Sequence, residues 1–224
     1  MRSAHRAASS VVLSCLVLAG CSSGSVGSSP GAGSGSAPAG PSASAGRGGL
    51  SGRAIPVGAG PQKQYTVQQQ PAAGSCHYRH VKGEPLEDPA CTPGAISPAV
   101  TQTNLASTIC RAGGYTKGIR PSTFVTGREK ELNAASYGYT GRMGNAEYDH
   151  LISLQLGGDP NDPRNLWVEP PDPGHKAGGG VNNKKDPVET KLHTAVCSGK
   201  VSLAAAQRAI VSDWTTALSS LGLG

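Results

Sequence analysis

An Asp-His pair opens the stretch of this chain whose residue types are best suited to chemistry. Asp149 and His150 precede a short apolar run, a Gly-Gly pair and two Asp-Pro turns, and Asn165 then precedes a second apolar run. A histidine whose pKa lies near the working pH can take a proton from water. A carboxylate beside it on an extended chain points the other way and can hold a hard cation such as Mg²⁺. Hydrolysis of a phosphodiester needs an activated water, neutralisation of the phosphate charge and help for the leaving oxygen, and such a cation can supply the last two.

The same residues also have a structural interpretation. Asp149 and His150 can form a hydrogen-bonded pair at a strand end, and Asn165 can be an ordinary turn residue. Glu189 and His193 lie one helical turn apart, which fits either a metal pair or an i,i+4 contact. A chemical role for the Asp-His pair therefore depends on the elements that surround it.

Hydrophobic periodicity predicts the elements around the pair. Residues 151–156 alternate apolar and polar types, as in a half-buried strand, and residues 165–169 are predicted to form a second strand. The pattern Asp-Pro-Val-Glu at 186–189 is typical of a capping box, with Asp186 as the N-cap of a helix that ends before Gly199. The predicted order is therefore strand, loop, strand and helix.

Helices and a short strand are also predicted outside this unit. The helices cover residues 98–110, residues 128–136 and a last helix that Ser202 caps and that runs from Leu203 through Leu218, and the strand lies near residues 77–81. Trp167 and Trp214 are predicted to be core residues rather than stacking platforms. The sequence therefore predicts an α+β fold with flanking helices.

The motif Asp-His-Leu-Ile-x-Leu-x-Leu-Gly-Gly, followed by Asn-Leu-Trp, resembles the HNH nuclease family, whose fold is the ββα-metal motif. The match covers about residues 147–190, and we expect the core to extend over about 147–198. The resemblance implies His150 as general base, Asp149 as metal ligand and Asn165 as the residue that holds the loop and orients His150. It also implies one divalent ion (Mg²⁺ first, Mn²⁺ or Zn²⁺ as alternatives) and a nucleic acid substrate, DNA before RNA.

A third signature residue, His or Asn near the start of the helix, is expected from the same resemblance. Asn182 has Lys185 at the usual spacing of three, and Asn183 and then His175 are the next candidates. Lys184 and Lys185 can hold a phosphate through charge. Without a third ligand the chain would be a catalytically inactive HNH-like envelope lipoprotein that acts as a binding module, which is the alternative function.

The amino-terminal residues predict export. Residues 1–20 have the charged start and short apolar run of a secretory signal. The run ends in Leu-Ala-Gly-Cys at Cys21, which resembles the lipobox of bacterial lipoproteins and implies a lipid on Cys21 that anchors the protein to the cell membrane. An ordinary signal cleaved nearby is the alternative. Residues 21–64 are predicted to be a flexible Gly/Ser/Pro tether, and residues 65–224 a single, monomeric domain.

Cysteine usage agrees with export. The domain contains Cys76, Cys91, Cys110 and Cys197, an even number, so we expect two disulfides. Of the three possible pairings we favour Cys76–Cys91, which closes a short Pro-rich loop, and Cys110–Cys197, which ties an early helix to a late one. A Cys₄ zinc site is the alternative, but the sequence has no Cys-x-x-Cys pair.

The net charge of +6 lies mostly outside the domain. Five of the 20 basic residues fall in residues 1–64, which contain no acid, so 15 bases face 14 acids in the domain. The basic composition therefore does not indicate a nucleic-acid surface, which has to come from local clustering. Three basic residues lie upstream of the motif, and they fit either phosphate contacts or a solvated helix face: Arg128, Lys130 and Arg142.

Overall fold

A computed structural model of the protein describes residues 54–181 and 183–224. These residues form the predicted α+β fold, with four α-helices and two antiparallel two-stranded sheets. The strands are β1 (Arg79–Val81), β2 (Glu84–Leu86), β3 (Glu147–His150) and β4 (Leu166–Glu169). The helices are α1 (Thr123–Ser136), α2 (Lys185–Cys197), α3 (Leu203–Asp213) and α4 (Ala217–Ser220).

The β3–β4 sheet carries the Asp-His pair. Its register pairs Asp149 with Trp167 and His150 with Leu166. The second predicted strand is confirmed as β4, but the strand predicted over residues 151–156 is wrong, because β3 ends at His150 and Leu154–Leu156 forms a 3₁₀ helix. The side chain of Asn165 binds both the backbone N–H and the carbonyl of Ile152, so the ladder cannot continue.

The helices after the motif follow the sequence prediction closely. α2 confirms the first of these helices, and Ser202 caps α3 by accepting from the N–H of Ala205. The last predicted helix, which was expected to run through Leu218, is divided, because α3 ends at Asp213 and α4 begins at Ala217. The predicted cap of α2 is wrong: Asp186 lies inside the helix, and the amide oxygen of Asn183 accepts from the N–H groups of Lys185 and Asp186 instead.

The helix predicted over residues 98–110 is wrong. Only Leu105–Ser107 forms a short 3₁₀ turn. The Asn104 side chain accepts from Thr101 N–H at 2.8 Å and donates to Ala99 O at 3.1 Å. Such local side-chain bonds offer the backbone an alternative to helical hydrogen bonds, which explains the difference. The helix predicted over residues 128–136 is confirmed as α1, which begins earlier, at Thr123.

The main core lies between α2, α3 and the loop after β3. Buried residues from these three parts pack together, including Ile152, Leu156, Leu192, Val196 and Ile210. Trp214 belongs to this core, and Trp167 packs with Tyr78 and Tyr137 in a second cluster. Both tryptophans are therefore core residues, as predicted.

Both predicted disulfides are present. The Cα atoms lie 5.9 Å apart in Cys76–Cys91 and 5.5 Å apart in Cys110–Cys197. Two disulfides indicate an oxidising, extracytoplasmic environment. Among the described residues, no helix has both the length and the apolar character needed to cross a membrane.

Part of the predicted tether packs on the domain. Val57 forms a β-bridge with Ile96, and Gly60 N–H donates to Asp159 Oδ2 at 2.6 Å. The packed part of the chain therefore begins before residue 65. The rest of the predicted tether up to residue 53, the predicted signal and the predicted lipidation site Cys21 lie outside the described residues.

Candidate functional site

His150 lies at the end of β3 and is only 7% exposed. Its Nε2 is 3.1 Å from the carbonyl oxygen of Pro160. Because a carbonyl only accepts, Nε2 carries the proton and donates, which leaves the lone pair on Nδ1. Nδ1 makes no hydrogen bond to any residue that the structure describes. The backbone thus selects one tautomer of the ring and fixes its orientation.

Burial lowers the pKa of His150 to about 4, whereas the sequence prediction was a value near the operating pH. The Asp149 carboxylate and the Pro160 carbonyl favour the charged ring, but the desolvation outweighs them, and the charges of Arg120 and Lys185 oppose protonation further. The imidazole is therefore neutral at pH 7, with Nδ1 free to accept a proton.

Asn165 is fully buried and holds the loop that supplies the Pro160 carbonyl. Its Nδ2 donates to Ile152 O and Asp159 O, both at 3.0 Å. Its Oδ1 accepts from Ile152 N–H at 3.0 Å and from Ala95 N–H at 3.3 Å. One side chain therefore ties the start of the loop, its middle and a neighbouring segment together.

The Gly-Gly pair of the motif is required by the same loop. Gly157 has φ of 74°, in the left-handed region that favours glycine. A Cβ on Gly158 would lie 1.7 Å from Ile152 O and 2.8 Å from Asn165 Nδ2. Gly158 lets the backbone pass directly over the bonds that Asn165 makes.

A lysine engages Asp149, the predicted metal ligand. Lys185 Nζ donates to Asp149 Oδ2 at 2.7 Å and to His150 O at 2.9 Å, and it forms an ion pair with Glu189. Trp167 Nε1 also donates to Asp149 Oδ2, at 3.2 Å. Lys185 is 1% exposed and its ammonium is held by three acceptors. The predicted phosphate contact of Lys185 is therefore not available in this arrangement.

Carboxylates are in excess around this lysine. Five interact with it or with one another: Glu147, Asp149, Glu169, Asp186 and Glu189. Glu147 and Glu169 face each other across the β3–β4 ladder, where like charges repel. Burial, with the Asp149 carboxylate next, raises the pKa of both. Glu169 Oε1 is buried without a hydrogen-bond partner among the described residues.

Asn183 bridges this cluster and the helix. Its Nδ2 donates to Glu147 Oε2 at 2.9 Å and to Glu169 Oε2 at 3.3 Å. Its Oδ1 accepts from two helical N–H groups, as described for the cap of α2. Both lone pairs of that oxygen are used, so it is not free for a metal.

Of the other predicted site residues, those that the structure describes are not brought to His150. Asn182 lies outside the described residues, and His175 is in the loop between β4 and α2, without a hydrogen bond to Asp149 or to His150. Lys184 is exposed and pairs with Glu84. Among the basic residues upstream, Arg128 pairs with Glu131, and Lys130 Nζ donates to Met143 O and Ala146 O.

A second group of side chains could bind a metal ion. One ligand atom from each of Cys110, His193 and Cys197 lies within 4.8 Å of the others. In the structure the two sulfurs form a disulfide, and His193 Nε2 lies 2.9 Å from Ile109 O. Thiolates are the zinc ligands of such sites, so metal binding here requires the reduced cysteines. The possible pairing of Glu189 with His193 is not formed, because Glu189 binds Lys185.

Sequence reasoning missed the central position of Lys185. Its i,i+4 spacing to Glu189 is visible in the chain and predicts a helical ion pair, but the burial of that pair depends on the distant β3–β4 sheet. Glu147 and Glu169 lie opposite each other because of the register between β3 and β4. The sequence could not predict this pairing, because the first strand was placed at residues 151–156 instead.

No protein-family model matches this chain, and neither the curated proteins nor the solved structures contain a significant match. The resemblance to HNH nucleases therefore rests on the motif residues and on what their geometry can do.

Proposed function

We propose that the protein is an extracytoplasmic nuclease that hydrolyses phosphodiester bonds of nucleic acid, with His150 as general base. One observation carries the proposal: Nε2–H of His150 points to the Pro160 carbonyl of a loop that Asn165 holds, which leaves the lone pair on Nδ1. A base needs this combination of a free lone pair and a fixed orientation. The HNH resemblance implies the same roles for His150 and Asn165.

In the proposed step, His150 Nδ1 takes a proton from a water molecule. The water oxygen forms a bond to phosphorus while the bond from phosphorus to the leaving ester oxygen breaks, and that oxygen takes a proton from solvent. The Pro160 carbonyl stabilises the imidazolium that forms, because its contact with Nε2–H strengthens when the ring is charged. The negative phosphate also favours protonation of His150 while substrate is bound.

The divalent ion implied by the resemblance does not fit the predicted ligands as they are placed. Lys185 and Trp167 already bind Asp149 Oδ2, and Asn183 Oδ1 caps α2. The other carboxylates are oxygen donors that suit Mg²⁺, but Lys185 Nζ takes the cation's place between Asp149 and Glu189. The proposed step therefore involves no metal. The dependence of cleavage on Mg²⁺, Mn²⁺ or Zn²⁺ is measured in the digestion assay.

A catalytically inactive binding module is the second candidate function. The observation that favours it is the neutralisation of Asp149 by a buried lysine, which gives the β3–β4 sheet a structural cation of its own. Under either function we propose that a lipid on Cys21 anchors the protein to the membrane. Cys21→Ser should then move the protein from the membrane to the soluble fraction, and retention of the variant in the membrane would contradict the anchor.

Digestion assays separate the two functions. The full-length protein is incubated with plasmid DNA, single-stranded DNA and RNA, in EDTA or with Mg²⁺, Mn²⁺ or Zn²⁺, beside His150→Ala and the control His80→Ala. His80 is an exposed histidine of β1. We expect His150→Ala to lose about 10²–10⁴-fold in rate and His80→Ala to keep the parent rate. Cleavage by His150→Ala at the parent rate, or no cleavage by the parent under any condition, would reject the nuclease.

A further inference from the structure

A cleft of about 680 Å³ lies between residues 62–67 and the segment that leads into α1. None of the described residues that line it is acidic, and two are basic, Lys63 and Arg120. Both side chains are exposed, and neither forms a salt bridge within the described part of the chain. The cleft is thus a local positive surface on a domain whose total charge is close to zero.

Hydrogen bonds connect the cleft to the loop of His150. Tyr65 Oη donates to Ile119 O at 2.6 Å, which joins the two walls. Asn161 Nδ2 donates to Thr66 O at 2.9 Å, and Asn161 directly follows Pro160, the partner of the His150 ring. The wall formed by residues 62–67 is therefore continuous with the loop that orients the proposed base.

The cleft also contains an unusual apolar group. Phe124, the single phenylalanine of the chain, is 81% exposed at the second residue of α1 and lines the same cleft as Arg120. An exposed aromatic ring next to cations provides both surfaces that a nucleotide needs, a face on which a base stacks and charges that hold phosphates. Because the ring is mostly exposed to solvent, it contributes little to the hydrophobic core.

We propose that this cleft binds single-stranded nucleic acid, with phosphates at Lys63 and Arg120 and a base stacked on Phe124, and leads the strand to His150. The bases of a duplex are already stacked on each other, so Phe124 can stack only on an unpaired base. The proposal deepens the proposed nuclease by naming its substrate, and its catalytic consequence rests on that function. The binding itself does not.

Fluorescence anisotropy tests the cleft directly. Full-length protein in EDTA is titrated into labelled oligothymidylate, oligouridylate and a duplex of the same length, with parent, Phe124→Ala, Arg120→Gln and the control Lys191→Gln. Lys191 is an exposed lysine of α2. We expect the single strands to bind more tightly than the duplex, Phe124→Ala to weaken binding about tenfold, and Lys191→Gln to match the parent. The tighter of the two single strands identifies DNA or RNA as the substrate.

The salt dependence gives a second measure. Arg120→Gln should weaken single-strand binding and reduce the slope of log affinity against log salt by about 0.7, the value for one lost phosphate contact. Equal affinity for duplex and single strand, or unchanged binding by both Phe124→Ala and Arg120→Gln, would overturn the proposal.

The binding and cleavage assays fail independently. If single strands bind as described but no condition supports cleavage, the cleft proposal holds and the nuclease is rejected. If cleavage requires His150 but neither Phe124→Ala nor Arg120→Gln changes the binding affinity, the nuclease proposal stands and the cleft proposal is rejected.

Discussion

At the scale of single residues, Lys185 decides what Asp149 can do. Burial favours the neutral amine, but Asp149, Glu189 and Glu169 outweigh that effect and raise the pKa of Lys185 above its usual value. The ammonium therefore stays charged, and three acceptors use its three protons. Removing one member of such a buried pair leaves an uncompensated charge, so the arrangement is held firmly once the fold has formed.

Glu147 provides a test of the acidic cluster through the pH dependence of stability. Burial, and then the Asp149 and Asp186 carboxylates, raise the pKa of Glu147 above its usual value of 4.5. The folded protein therefore binds a proton at the Glu147 carboxyl more tightly than the unfolded chain does. The stability that this protonation contributes is present below pH 4.5 and is lost as the pH rises through the folded-state pKa. Glu147→Gln keeps a neutral group that can still accept from Asn183, so the variant should melt about 2–4 °C above the parent at pH 8.

The same difference should vanish at pH 4, where both proteins carry a neutral side chain at this position. Thermal melts across this range measure it. Glu131→Gln, at an exposed salt bridge of α1, is the control and should show no comparable pH dependence. A Glu147→Gln variant that is no more stable than the parent at pH 8 would show that the cluster does not strain the fold.

Residue-level prediction succeeded where partners are close in sequence. Asp149, His150 and Asn165 belong to one short motif, and the resemblance that this motif carries implied that Asn165 holds the loop beside His150. The pKa of His150 was predicted too high because its burial depends on the folded structure and because the charges of Arg120 and Lys185, both distant in sequence, lower it further. Lys185 was assigned to phosphate for the same reason, since nothing local indicates that its ammonium lies beneath β3.

At the scale of elements, the loop between β3 and β4 positions the proposed base. Asp159 Oδ1 accepts from the N–H groups of Asn161 and Asp162, at 3.0 and 2.9 Å, which folds the centre of the loop. Asp159 Oδ2 accepts from Gly60 N–H, so the amino-terminal segment braces the same residue. The loop is thus fixed from inside and from outside, as an orienting element requires.

Gly158→Ala should displace this loop. The added Cβ would overlap Ile152 O and press on Asn165 Nδ2. We expect a loss of about 1–3 kcal/mol in the free energy of unfolding, as for overpacked buried sites, measured by urea denaturation. The control Gly144→Ala adds a Cβ with no atom within 4 Å and should stay within about 0.5 kcal/mol of the parent. Equal stability of the two variants would contradict the close approach.

Element prediction failed where side chains compete with the backbone. Asn104 turned a periodic stretch into a series of turns, and Asn165 ended β3 early, although both stretches have convincing hydrophobic patterns. The positions of α2 and α3 were predicted well because their apolar faces are encoded locally. The cap of α2 shows the limit, since Asn183 and Asp186 are both suitable caps and the contacts to Glu147 and Glu169 favour Asn183.

At the scale of the whole molecule, two disulfides link parts of the chain that the two-stranded sheets do not connect. Cys76–Cys91 spans 15 residues, and Cys110–Cys197 spans 87 and links the segment before α1 to the end of α2. The longer bridge joins the two sides of the main core. The favoured pairing is confirmed for both bridges, although the early helix from which Cys110–Cys197 was argued is not formed.

Removal of the two bridges should have unequal effects. A disulfide stabilises the fold by lowering the conformational entropy of the unfolded chain. Opening a 15-residue loop therefore costs about 3 kcal/mol of folding free energy, and opening a longer loop costs more. Cys110→Ala with Cys197→Ala should therefore destabilise the protein more than Cys76→Ala with Cys91→Ala, by about 1–2 kcal/mol in denaturant titrations. A larger loss for the short bridge would mean that local packing, not chain entropy, dominates.

The central claim is that His150 acts as a base and not only as a packed side chain, and chemical rescue tests it most directly. Cleavage of a single-stranded oligonucleotide by folded His150→Ala is measured with increasing imidazole, beside the parent. If His150 is the base, imidazole should restore part of the lost rate, and the restored rate should rise with pH as free imidazole loses its proton. A folded His150→Ala variant that has lost activity and gains no rate from imidazole would contradict a proton-transfer role for His150.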